Sequence, residues 1–170
     1  GMFLRPQHFQ ASDRHANEQL VASMQWQHAY PYGLQTIQIQ PDALAAYSFQ
    51  INRVRCVTRE GDLVEVASSP LRVSLKESLS KSGSVDVLLA LPKFQGARPN
   101  VASSDNALAR YKAAALNIPD ENTGVGDTEV HFKETQARLL LSTDNLDGFD
   151  VIPIARVKRG AGDEAVPDLD

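Results

Sequence analysis

Cysteine is nearly absent from this chain of 170 residues. Cys56 stands alone, which excludes an internal disulfide framework and fits a reducing compartment. Long hydrophobic runs are missing too. The longest, Val87 to Leu91 and 138–141, fall far short of the ~20 apolar residues that cross a bilayer, so no transmembrane helix is expected. Residues 1–20 interleave Arg5, Gln7, His8, Asp13, Arg14 and Glu18 with apolar positions, which is not the unbroken apolar stretch of an export signal. A basic excess is lacking as well: 17 Lys and Arg against 21 Asp and Glu give a net charge of −4, so no nucleic-acid partner is expected. Arg53, Arg55 and Arg59 are the nearest approach to a basic stripe and read as a solvated or subunit-facing strand face. With 42% hydrophobic and 22% charged residues, the chain reads as one soluble, cytoplasmic domain large enough for a core of its own.

Motifs that carry chemistry are equally scarce. His8 and His15 are about two helical turns apart, too far to share a metal ion unaided, and His28 and His131 have no ligand pattern around them. Cys56 lies within a strand pattern, where a small buried apolar role is the usual one. Ser68-Ser69 and Ser103-Ser104 sit in turn-like sequence without a Gly-x-Ser-x-Gly elbow. Gly124 and Gly126 are followed by Asp127, with no lysine or helix start as a phosphate loop requires. Asp120, Glu121, Asp127 and Glu129 lack the spacing of a twelve-residue calcium loop. No catalytic residue, metal or cofactor is predicted, and the chain is read as a non-enzyme.

What is present begins with a helix. Segment 6–29 has no glycine, and its one proline, Pro6, suits a first helical turn. Phe9, Ala16, Leu20 and Met24 share a side with Asp13, Ser23 and Gln27, so the apolar stripe is thin and broken, too narrow for burial in the helix's own domain. The spacing predicts a helix lying across a sheet or against another subunit. Tyr30-Pro31-Tyr32-Gly33 ends it.

From Leu34 the period changes to two. Ile37 and Ile39 alternate with glutamines. Ser48 to Thr58 carries Phe49 and Ile51 and then, out of phase, Val54 and Cys56, which predicts a bulge or bend between them. A single helical turn is expected at Pro41 to Ala46, and a hairpin turn at Glu60-Gly61-Asp62 leading into Leu63 to Val66. Leu71, Val73 and Leu75 alternate. Lys76 to Gly83 reads as a polar, serine-rich connection, and Val85, Val87, Leu89 and Leu91 read as a one-sided strand. Segments 92–108 and 119–127 read as long surface loops, with an alanine-rich strand from Arg110 to Asn117 between them. Thr128 to Ser142 and Phe149 to Lys158 read as two further strands. The fold expected from these signals is mainly β, an antiparallel β-sandwich or barrel preceded by a long N-terminal α-helix. It divides into a helical segment 1–33, a β domain 34–159 and a tail 160–170.

The opening Gly1-Met2-Phe3-Leu4-Arg5-Pro6-Gln7-His8-Phe9-Gln10, with Asp13-Arg14 behind it, resembles the opening EGMFLxPQHFQxxDR of the TssK family of type VI secretion baseplate proteins. Further similarity stands at Val87-Leu88-Leu89-Ala90-Leu91-Pro92, Ala109-Arg110-Tyr111 and Ile152-Pro153-Ile154-Ala155-Arg156-Val157. Because members of that family are much longer, the resemblance is to their N-terminal domain. It implies a β-sandwich shoulder like that of tailed-phage receptor-binding proteins, a homotrimer in the cytoplasmic baseplate, and TssF and TssG wedge proteins as partners. Contact with the TssL and TssM membrane complex is implied only through the C-terminal part absent here, with no direct membrane insertion.

Candidate partner or trimer contacts are Phe3, Leu4, Arg5, Pro6, Gln7, His8, Phe9, Leu20, Met24 and Trp26. For Phe3 and Leu4 a hydrophobic staple on the helix is an equal alternative, and for Trp26 packing on the sheet. A phage-like receptor- or glycan-binding module is the alternative function. Phe94 is the only aromatic in loop 92–108, which speaks against a sugar platform.

Overall fold

The computed structural model describes residues 3–67, 69–96, 98–102, 109–162 and 164–168. The expectations for Ser68, for Ser103-Ser104 and for the start of the opening motif at Gly1-Met2 lie outside them. The architecture is an antiparallel β-sandwich preceded by a long helix, with a third, smaller sheet at its flank.

The first sheet has the order β1-β2-β3, with β4 also on β2: β1 is Gly33–Ile39, β2 Ser48–Val57, β3 Leu63–Val66 and β4 Leu71–Ser74. Pro41–Ala46 forms the expected single turn, of 3-10 type, between β1 and β2. The change of phase in β2 is a bulge. Gln38 faces Arg53 and Ile39 faces Ile51, so Asn52 is the extra residue. Phe49 and Ile51 before it, and Val54 and Cys56 after it, all reach the core. The bulge also divides β2 between partners, since Ser48 to Ile51 pair with β4 and Val54 to Val57 with β3.

The second sheet runs β11-β10-β5-β9, with β5 Ser84–Pro92, β9 Arg138–Leu141, β10 Phe149–Arg159 and β11 Ala165–Pro167. Val87, Leu89 and Leu91 meet Ile51, Val54, Cys56 and Val64 of the first sheet in one core. Each such side chain taken fully out of water contributes roughly 1.5–3 kcal/mol, so the sandwich is where the stability resides. β5 departs from the one-sided reading: Leu88 and Ala90 are buried as well, because the strand is central and covered on both faces. β11 lies within segment 160–170 and pairs with the end of β10.

Lys76–Ser82 is a helix, α2, and not an irregular connection. Leu75 and Leu79, four apart, are both buried under it, and Gly83 ends it with a φ of 71°. The serines that suggested a loop are used internally: Ser78 bonds Thr143 at 2.8 Å and the Ser82 hydroxyl donates to the Ser78 carbonyl at 2.8 Å.

The third sheet, β6-β7-β8, comprises Val101–Ala102, Tyr111–Ile118 and Thr128–Thr135. Thr128 to Ser142 is therefore two strands. The chain leaves the third sheet at Gln136-Ala137 and joins the second as β9. Loop 92–108 contributes β6, parallel to β7, while residues 97 and 103–108 lie outside the description.

Candidate assembly interface

The N-terminal helix, α1, runs from Pro6 to Gln27 and ends two residues earlier than the sequence predicts. At 1.5 Å per residue its 22 residues span about 33 Å. Its start is closed by His8, whose Nδ1 accepts the Arg5 backbone N–H at 3.0 Å while the His8 N–H donates to the Arg5 carbonyl at 2.9 Å. That gives His8 a structural role at the helix terminus.

None of the residues of α1 is buried. At about 100° per residue, Gln10, Arg14, Asn17 and Val21 define the side turned toward the β domain, and all but Val21 are polar. Val21 rests on the β2–β3 turn at Gly61, the closest approach of helix and sandwich. Arg14 lies over the Phe94 ring, 5.2 Å from its centroid. Phe9, Ala16 and Leu20 lie roughly 110° away from that side and Trp26 roughly 150° in the other sense, so these residues point away from the β domain, whereas Met24, roughly 50° off, lies nearer to it. Trp26 is 92% exposed and Phe3 89%, so neither packs on the sheet or staples the helix. Leu4, Phe9, Leu20 and Tyr30 are likewise exposed, and Met24 considerably less so, at 37%. The structure thus gathers the apolar members of the predicted set on one exposed element. Arg5, Pro6, Gln7 and His8 are exposed around its first turn.

A second exposed element is built from two strands that the sequence predicts, although their exposure is not predicted. β7 and β8 form a hairpin arm in which Ala114 faces Phe132 and Leu116 faces Val130. Ala114, Leu116, Ile118, Val130 and Phe132 therefore share one apolar face, with Leu116 and Phe132 exposed. The opposite face carries Asn117, Glu129, His131 and Lys133, with His131 and Glu129 paired at 3.2 Å. Alternation of this kind normally announces a covered face. Here the alanines dilute it.

The root of the arm is fixed by Arg110, which is 2% exposed. Its guanidinium bonds Asp62 of the β2–β3 turn, Asp150 of β10 at 3.1 Å and the Pro92 carbonyl of β5 at 2.8 Å, so one side chain ties all three sheets together. Burial alone would lower its pKa, but the charge of Asp62 and the hydrogen bonds that the guanidinium donates to both carboxylates outweigh it and hold the group firmly protonated. Gln136 completes the root by donating to the Ala109 carbonyl at 3.0 Å. Cys56 lies in the core, where burial pushes its thiol up to about 11, the opposite of what a nucleophile needs. Among the described residues no three His, Cys, Asp or Glu side chains gather as a metal site, and no helix is long and apolar enough to cross a membrane.

Comparison with known proteins places these elements. A family described as bacterial type VI secretion, EvfL, ImpJ and VasE, matches residues 8–170. The type VI secretion system baseplate component TssK1 of Pseudomonas aeruginosa PAO1 is 29% identical over 173 residues, covering 98% of this chain and 38% of its own length. The chain thus spans well under half of that curated relative. Among solved structures, a cryo-electron microscopy structure of a TssK-TssF-TssG baseplate subcomplex superposes with a TM-score of 0.88 at 20% identity, over 100% of this chain and 58% of that one. A crystal structure of TssK gives 0.81 at 24% identity, over 99% and 39%. These likenesses show the fold. Together with the match along nearly the whole sequence they show that this chain belongs to the bacterial type VI secretion VasE family, with the fold of the TssK N-terminal domain.

Proposed function

We propose that the chain is the assembly domain of a cytoplasmic baseplate component, one that forms a homotrimer and holds a TssF–TssG wedge. The observation that carries this reading is α1: a helix of 22 residues with no buried residue, its Phe9, Leu20 and Trp26 turned away from a domain that it faces mainly with polar side chains. An isolated helix gains little in water from propensity alone, and this one has neither acidic residues in its first turn nor basic ones in its last to favour its dipole. Its outward rings therefore gain most from a partner surface, where large aromatic side chains act as anchors. The apolar face of the β7–β8 arm is the second such surface. Any link to a TssL–TssM membrane complex is assigned to sequence outside this chain.

The glycan-binding alternative finds less support. Phe94, Tyr32, Tyr111 and Phe149 each have a guanidinium or ammonium group over the ring at 5.2–6.0 Å, occupying a face a sugar would stack on. Gel filtration of the chain with the TssF–TssG complex of its own system tests the proposal. Co-elution is expected, and failure to bind by both this chain and the full-length protein would refute it.

A further inference from the structure

Between α1, loop 93–100 and the root of the hairpin arm lies an open cleft of about 1010 Å3. Arg14 of α1, Lys93 and Arg98 of the loop, and Lys133 of β8 line it, and among the described residues none of the four is in a salt bridge. Asp62 and Asp150, on the same walls, are engaged by Arg110, which leaves Asp13 and Glu60 as the carboxylates not so engaged. Counting Arg110 and its two partners, the lining holds five cations against four carboxylates, a small positive excess on a chain that is −4 overall. The cations come from three separate elements.

The walls are held in shape. The Asn100 side chain accepts from the Gln95 N–H at 2.8 Å and donates to the Gln95 carbonyl at 2.7 Å and the Arg98 carbonyl at 3.0 Å, closing the loop on itself. The Tyr111 N–H then ties that loop to β7 through the Asn100 carbonyl at 2.9 Å. Arg14 is held over Phe94 and Lys133 over Tyr111. A surface ordered before binding loses less entropy when it is occupied. β6 borders the cleft at Val101 and, among the described residues, is an edge strand of its sheet, so an extended backbone can be received alongside it.

We infer that this cleft is a docking groove for an extended acidic peptide segment of a partner protein, its carboxylates read by Arg14, Lys93, Arg98 and Lys133 and its backbone laid along β6. The inference rests on the assembly reading only in taking the partner to be a protein. Charge reading of this kind sets specificity and association rate, and its binding weakens with salt.

The test is fluorescence anisotropy with three labelled probes: a 12-residue peptide alternating Glu and Val, its counterpart with Lys in place of Glu, and a 12-nucleotide single strand. Saturable, salt-sensitive binding of the acidic peptide alone is expected. Arg98→Glu with Lys133→Glu should weaken it about tenfold. The milder Arg98→Gln with Lys133→Gln should weaken it a few-fold, which keeps the test valid if the reversal disturbs folding. Lys76→Glu with Lys81→Glu, on α2 outside the cleft, should leave it unchanged. No saturable binding of the acidic peptide, equal binding of the basic one, preference for the oligonucleotide, or an equal loss in the α2 variant would each overturn the inference. A chain that co-elutes with the wedge but ignores the acidic peptide refutes the groove alone, and one that binds the peptide but not the wedge refutes the baseplate reading alone.

Discussion

At the scale of single residues, Arg110 has the largest consequences. Its partners Asp62 and Asp150 lie 48 residues upstream and 40 downstream, so no local pattern in the sequence reveals that this arginine is buried. Within Ala109-Arg110-Tyr111 the residue was legible only as a point of family resemblance. Removing it leaves Asp150 largely buried without a counter-charge, whereas Asp62, a third exposed, is partly rescued by water. Arg110→Ala should therefore cost about 3 kcal/mol in urea unfolding, and Asp62→Asn clearly less. Arg110→Lys should rescue only part of the loss, because an ammonium group cannot match the guanidinium fork across three acceptors.

Cys56 was legible from its strand position and is buried as expected. Its thiol titrates at about 11 in the fold, above its ordinary value, so the folded state holds the proton that the unfolded chain releases first. Stability is unaffected below about pH 8 and falls as pH rises through 9 to 11, by of order 2 kcal/mol when the window is complete. Thermal melts from pH 7 to 11 should show that loss, and Cys56→Ala should lack this component of it. A thiol reagent at pH 8 should modify Cys56 only after denaturant is added.

At the scale of elements, legibility followed the coverage of faces. The phase change in β2 announced the bulge at Asn52 because both halves of the strand have one buried face. β5 looked one-sided because Leu88 and Ala90, buried on its second face, do not disturb an alternation of Val and Leu. α2 was hidden by serine, a residue of turns and helix ends, although Leu75, Leu79 and Gly83 carry a helical signal. The β7–β8 arm was obscured because most of both faces is open to solvent, which leaves no pattern that burial alone would impose.

The joint between α1 and the sandwich is a single turn. Gly61 has a φ of 88°, and a Cβ there would collide with Val21. Gly61→Ala thus meets two obstacles, the left-handed backbone and the helix. The backbone part costs roughly 1–2 kcal/mol. In a double-mutant cycle, Val21→Ala should relieve the steric part and leave the backbone part, so the paired variant should be less destabilised than the sum of the two singles. Strict additivity in chemical denaturation would mean that the helix does not rest on this turn.

At the scale of the whole molecule, the buried core and the exposed apolar residues are separated. The core lies between two sheets, while α1 and the hairpin arm stand outside it with their apolar residues uncovered. Clustered apolar residues left exposed on a soluble fold mark interaction surfaces. Sequence reasoning anticipated through its thin apolar stripe that α1 is not buried in its own domain, and reached the family through the opening motif. It did not give the direction of the stripe, because a polar side facing the domain's own cleft reverses the usual rule for surface helices.

The central claim is that the outward side of α1 is covered in the assembled baseplate. Hydroxyl-radical footprinting of the full-length protein, alone and reconstituted with the TssF and TssG of its own system, tests it most directly. Oxidation of Phe9, Leu20 and Trp26 should fall severalfold on assembly, while the exposed Lys76 to Lys81 surface of α2 keeps its labelling. Unchanged oxidation of all three side chains in a complex of confirmed composition would contradict the account.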